Sequence, residues 1–255
     1  MIAGSLSPPF WGAQTLSEIS LDLLWPLLDR KALFRGGWGA GGLTGPAWEE
    51  IEAEFAARLR VMQVEAGAYL QPQAVYGYFP AHSDGEALVI YDPAAPSARQ
   101  EVARFPFPRQ PGGQRLCLAD YFAPVGGPLD VAIFQVVTVG PGATARYAAL
   151  EAEGAYSEAY FVHGLASHIT EALAAWVHQR VRDDLGLAEK QGRRYSWGYP
   201  ACPDVSQHRE VFRLLPAEAA LGMALTAAGQ LVPEHSTAAL IVTHPAARYF
   251  VVRSR

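Results

Sequence analysis

The chain has 255 residues, half of them hydrophobic and 18% charged, a globular mixture with enough apolar side chain for a sizeable core. A formal net charge of -5 gives no basic field to hold a nucleic-acid backbone, so nucleic acid is excluded as an expected partner. Cys117 and Cys202 are too few for a disulfide framework, the N-terminus lacks a signal-peptide pattern, and the apolar run at 131–139 is too short to cross a bilayer, so a cytoplasmic protein with no membrane partner is expected.

Along the chain, Pro8, Pro9, Phe10 and Trp11 set up an extended arm over about residues 1–15, because proline fixes its own φ and turns its predecessor away from helix. Residues 16–27 read as a short helix or turn, and 36–45 as a glycine-rich loop. A helix follows over 47–63, where Ile51, Phe55, Leu59 and Met62 recur every three or four positions. Residues 73–79 and 87–91 are strand-like around the turn residues Ser83, Asp84 and Gly85. The proline-rich stretch 93–111 is expected to wind over the surface. The nearly unbroken β-branched run 131–139 reads as a buried strand.

From 143 to 187 the pattern is helical with a break near Gly154, and Phe161, Leu165, Ile169, Leu173, Trp176 and Val177 form one apolar stripe ending near Gly186. Residues 193–203 read as an irregular loop and 210–225 as one or two helices. Residues 238–242 and 249–252 read as closing strands. Strands early and mixed elements later predict an α+β fold rather than an alternating βαβ chain, with 1–255 as a single domain.

The sharpest local signal is Arg194-Tyr195-Ser196-Trp197-Gly198-Tyr199-Pro200-Ala201-Cys202-Pro203-Asp204. Gly198 admits close backbone approach, the prolines stiffen the loop, the aromatics offer faces to a cation or heterocycle, and Arg194 can hold a carboxylate in bidentate fashion. On composition alone the segment reads first as a rigid turn that connects helices.

The string G-Y-P-A-C-P-D, with Arg194 four positions before its glycine, resembles the signature loop of the activation domain of cobalamin-dependent methionine synthase. Further segments agree in order. Phe79-Pro80-Ala81 resembles the family's F-P-A-N, and Cys117-Leu118-Ala119-Asp120-Tyr121 its C-L-A-D-F. Glu171-Ala172-Leu173 through His178 and Val181-Arg182 resembles E-A-x-A-E-x-x-H-x-x-V-R. Thr243-His244-Pro245 with Tyr249 resembles S-H-P-x-x-x-Y, and Pro8 to Trp11 stands where the family has T-P-F-F.

The resemblance implies a C-shaped domain with a twisted, mainly antiparallel sheet flanked by helices, and a site for S-adenosylmethionine (AdoMet). By position it makes Arg194 the carboxylate-binding arginine and Glu171 the acidic helix residue. Ser196 and Gly198 become loop contacts, Tyr249 the C-terminal tyrosine, and Tyr199 the tyrosine that faces the corrin. A carboxylate, an ammonium and a sulfonium call for an anion clamp, an acid and an aromatic face, and these residues supply that set. Taken singly, Glu171 reads as a solvated helix residue and Tyr249 as a core aromatic. The sequence departs from the family at Leu6-Ser7, where an aspartate usually reaches AdoMet, and at Val205, where histidine is common and His208 is nearby. It departs also around Ser167 and His168, in place of a helical acid.

The implied activity is that of a methyltransferase subunit or domain. It caps a partner domain carrying cobalamin for reductive methylation of cob(II)alamin, with an electron from a flavodoxin-like or other reductase. No general acid or base is required, and no catalytic residue or metal ligand is assigned. A non-catalytic AdoMet- or corrinoid-binding regulatory or shuttle module is the alternative. An independent Rossmann methyltransferase is the weaker third reading, because Val139-Gly140-Pro141-Gly142 only faintly echoes a glycine loop. The histidines show no metal-ligand spacing, and Asp183-Asp184 reads as an exposed helix end rather than a dyad.

Overall fold

The computed structural model describes residues 6–188 and 191–252, so the first five residues of the expected arm lie outside the described residues. In chain order the strands are β1 (Gly12–Leu16), β2 (Gln73–Asp84), β3 (Ala87–Tyr91), β4 (Glu101–Pro106), β5 (Asp130–Thr138), β6 (Arg193–Ser196), β7 (Ala224–Leu225), β8 (Leu231–Val232) and β9 (Ser236–Val242). The helices are α1 (Arg30–Ala32), α2 (Pro46–Glu65), α3 (Gly142–Ala152), α4 (Tyr156–Asp184), α5 (His208–Leu214) and α6 (Ala217–Leu221). Among the described residues the main sheet runs β4-β3-β2-β5-β9-β6, and β1 pairs β2 beside β3. Its ladders are antiparallel, and a single parallel bridge joins Ser83 to Pro124. This mixed, antiparallel architecture eliminates a doubly wound Rossmann methyltransferase.

Strand periodicity divides the core in two. On β2, Ala74, Tyr76 and Tyr78 point to a cluster shared with α2 and α4, while Val75, Phe79 and Ala81 point to a second cluster on the opposite face. On β5, Val131, Ile133 and Val137 join the first and Ala132, Phe134 and Val136 the second. Gln135 lies on the α4 side of this buried strand and donates from Nε2 to the Ala174 carbonyl at 3.3 Å. The expected α4 stripe is the helix's inner face: Leu165, Ile169, Leu173 and Val177 are fully buried, with Phe161 and Trp176 on its margins.

Local chemistry sets the helix limits. Pro46 opens α2, and Phe55, Leu59 and Met62 bury its inner face. The break between α3 and α4 is a left-handed helix stop. Gly154 takes φ +76°, its amide bonds the Glu151 carbonyl at 3.0 Å, and the Ala155 amide reaches Leu150 at 2.8 Å. The expected exposed helix end at Asp183-Asp184 is half-buried at Asp184, which accepts from Tyr78 Oη at 2.8 Å and from Tyr76 Oη at 3.2 Å.

Several expectations are corrected. The stretch 93–111 contains β4, whose buried Ala103 and Phe105 alternate with exposed Glu101 and Arg104 on a sheet edge that tolerates Pro106. The arm is extended, but from Gly12 to Leu16 it is a paired strand. Residues 16–27 contain two short 3₁₀ turns, Leu21–Leu23 and Trp25–Leu27. The segment 193–203 begins as β6 rather than irregular loop, and β9 starts at Ser236. Residues 249–252 are not a strand; they run as coil, with the Val252 amide on the Pro200 carbonyl at 3.1 Å and Gln110 Nε2 on the Val251 carbonyl at 2.8 Å.

Candidate functional site

The segment Arg193-to-Asp204 owes its form to strand alternation followed by a tight turn. On β6, Tyr195 enters the second core cluster and Trp197 follows it there, which turns Arg194 and Ser196 to the α4 side. Trp197 Nε1 donates to Gln207 Oε1 at 2.9 Å, and Gln207 Nε2 donates to the Pro106 carbonyl at 2.7 Å. Its ring stacks on Phe134 at 6.1 Å and lies tilted against Phe105 at 5.7 Å. Beyond it the chain reverses: the Gly198 amide bonds the Cys202 carbonyl at 2.8 Å and the Cys202 amide bonds Tyr199 at 2.9 Å. Gly198 sits at φ +89°, a conformation that L side chains rarely adopt, and a methyl there would come 3.3 Å from Val205 Cγ1.

On the open side of this turn lies a cavity of about 490 Å³ whose walls include Glu171, Arg194, Ser196, Tyr199 and Tyr249. Five of the six expected site residues therefore meet in one space, although α4, β6 and the C-terminal coil supply them from distant parts of the chain. Gly198 instead lines a neighbouring, more open space of about 1100 Å³ with Val205, His208 and Pro233. The larger space lacks Arg194; the smaller one sets a cation and an anion beside the rings of Tyr195, Tyr199 and Tyr249. Glu171 and Tyr199 border both, and also a recess of about 250 Å³ that includes Ser167 and His168.

Arg194 Nη2 donates to Glu171 Oε2. The arginine side chain is 17% exposed and the glutamate 50%, so a largely covered cation faces a solvated anion. Tyr199 and Tyr249 are exposed, and the Tyr249 ring lies 5.6 Å from Tyr195, whose hydroxyl donates to the Arg248 carbonyl at 2.8 Å. Tyr249 is thus not the core aromatic that a single-residue reading gave. Burial pushes the Cys202 thiol far up from its ordinary value, which removes it as a nucleophile. His178 is pulled down to about 4, by burial first and then by Arg182, Arg194 and Arg193.

Sequence reasoning missed Phe250 and Val251 as walls; they lie on a coil that carries no periodic signal. It also missed the turn of Val232 to Glu234 beside the larger space. At the departures, Leu6 packs against the first core cluster, which is work for an apolar side chain rather than an aspartate. His208 is buried, with Nδ1 2.7 Å from the Gly229 carbonyl.

Residues 54–254 match the family model described as "Vitamin B12 dependent methionine synthase, activation domain". The chain is 35% identical to methionine synthase of Mycobacterium tuberculosis and 34% identical to that of Mycobacterium leprae, covering 96% of itself but 23% of each relative. It therefore spans about a quarter of the length of these relatives. A crystal structure of the MetH reactivation domain bound to AdoHcy superposes with TM-score 0.83 at 27% identity, over 97% of this chain and 83% of that one. The fold, the cavity-bearing loop and these likenesses agree: the chain belongs to the activation-domain family of vitamin B12-dependent methionine synthase.

Proposed function

We propose that the chain, acting as a single domain, binds AdoMet in the 490 Å³ cavity and presents its methyl group to cobalamin held by a partner domain. The observation that carries this reading is the convergence of Arg194, Glu171, Ser196 and Tyr249 on one cavity of a size usual for small-molecule sites. AdoHcy, which the related MetH domain binds, is AdoMet without the transferred methyl. The residues fit such a ligand. Its carboxylate and ammonium sit on one carbon, and the Arg194–Glu171 pair places a cation beside an anion at the same spacing scale.

In this reading Arg194 holds the carboxylate and Glu171 turns from Arg194 to the ammonium, a small rearrangement because half of its side chain is already in water. Ser196 contributes at the loop edge, Gly198 keeps the turn open to close approach, and Tyr249 lays a π-face along the cavity. Tyr199, exposed at the rim, is the contact for the corrin. Cobalamin on its own domain would supply the reduced cobalt that accepts the methyl, with one electron from a flavodoxin-like or other reductase. The protein's part is proximity and orientation, so the parent activity is that of a cytoplasmic methyltransferase in methionine biosynthesis.

Calorimetric titration with AdoMet tests the reading. Saturable binding is expected, weakened roughly 10- to 100-fold in Arg194→Ala through loss of a charge-assisted pair. No binding to the intact chain, or equal binding to the variant, overturns the site. Methylcobalamin formation with a cobalamin-bearing partner and a reductant separates the catalytic role from a non-catalytic binding module.

A further inference from the structure

A second cluster of chemistry-bearing side chains lies outside the walls of the 490 Å³ cavity. His163 comes from α4, and Glu234 and His235 from the turn that leads into β9. One ligand atom from each of the three lies within 4.8 Å of the others. His163 Nδ1 and His235 Nε2 are 3.2 Å apart, with ring centroids at 5.0 Å. We propose that His163, Glu234 and His235 form a site for a divalent transition metal of the zinc class, with a fourth position left for water.

The separation is the first argument. Two nitrogens bound to one tetrahedral ion at about 2.0–2.1 Å stand roughly 3.3 Å from each other, close to what these rings already show. Glu234 is exposed, so its carboxylate can swing to the third position without disturbing the core. Two imidazoles and one carboxylate suit zinc, cobalt or nickel; magnesium and calcium prefer all-oxygen shells.

The frame around the cluster is already fixed. The His235 carbonyl accepts from the Val139 amide and from Thr170 Oγ1, each at 3.2 Å, which pins the turn between the end of β5 and the helix that carries His163. Ser236 Oγ donates to the Pro233 carbonyl at 2.7 Å, closing the turn from the other side. His235 is 3% exposed, and its Nδ1 has no hydrogen-bond partner. No protein group other than His163 competes for that ring among the described residues.

Glu234 and His235 also border the 250 Å³ recess shared with Glu171. An ion here would tie the head of β9 to α4 next to the AdoMet cavity, yet the site depends on none of the residues assigned to that ligand.

The test is titration of the chelator-treated chain with Co²⁺, read by visible absorption, followed by displacement with Zn²⁺. One equivalent with tetrahedral-type bands, and a melting temperature that rises saturably with Zn²⁺, is the expected result. His163→Ala should weaken binding by more than the roughly 10- to 100-fold that outer-sphere partners of a metal contribute. Glu234→Gln, at an exposed position that leaves the fold intact, should weaken it as well. Absence of stoichiometric binding, or equal binding by wild type and both folded variants, overturns the proposal. AdoMet titration of the same samples reads the other site separately.

Discussion

The two sides of the turn from Arg193 to Asp204 obey opposite rules. Its inner side is fully determined: Trp197 is 5% exposed, its indole N–H has one partner, and two phenylalanine rings cover it. Its outer side holds exposed tyrosines and an ion pair with one member half in water. The inner side makes the turn rigid so that the outer side can stay open and polar. Rigid support beneath a solvent-facing constellation positions ligand groups without burying their charges.

Breaking the inner side should have the largest effect. Trp197→Ala removes a buried aromatic and leaves Gln207 Oε1 without its donor, and should lower unfolding free energy by about 3–5 kcal/mol. Trp197→Phe, which restores the ring but not the N–H, should recover part of that loss. Urea denaturation checks both. A loss under about 1 kcal/mol in Trp197→Ala would mean that the inner side does not anchor the turn.

His178 sharpens the comparison, because it lies under the outer side and takes part of its downward shift from Arg194. Its folded value of about 4 stands below the ordinary value of 6.5, so the native state favours the neutral ring. The contribution is therefore complete above about pH 6.5 and is lost as pH falls toward 4, on the order of 2–3 kcal/mol across that window. His178→Gln should flatten the fall in stability between pH 7 and pH 4. An unchanged slope would show that His178 is not held neutral by its burial. The buried His208 and His235 are shifted in the same direction and remain in both proteins.

This contrast also explains what the sequence disclosed. The α4 stripe and the β5 run were legible because each is buried along one face, and burial imposes a period. Gly154 was legible as a break because a left-handed helix stop favours glycine. Among the six site residues, composition offered only a polar, aromatic loop. It was the ordered series of short motifs that singled out Glu171 and Tyr249, which lie 23 positions before and 55 after Arg194. β4 was hidden by flanking prolines, and the final segment was misread as a strand because Tyr249 to Val252 has strand composition without a neighbour to pair with. The approach of His163 to His235 had no sequence signal: 72 residues separate them, and only the packing of α4 against the turn before β9 joins them.

The smallest expected effect lies on the outer side, in the Arg194–Glu171 pair itself. Glu171 is half exposed, so its desolvation is slight, and water can replace the arginine when the pair is broken. Ion pairs of this kind contribute about 0.2–1 kcal/mol. Arg194→Ala and Glu171→Gln should each change unfolding free energy by less than about 1 kcal/mol, and a double-mutant cycle should return a coupling of the same size. The same substitutions should strongly reduce AdoMet affinity if the pair is kept for ligand rather than for fold. A coupling above about 2 kcal/mol would instead make the pair a structural member of the turn, and the two sides would no longer differ in kind.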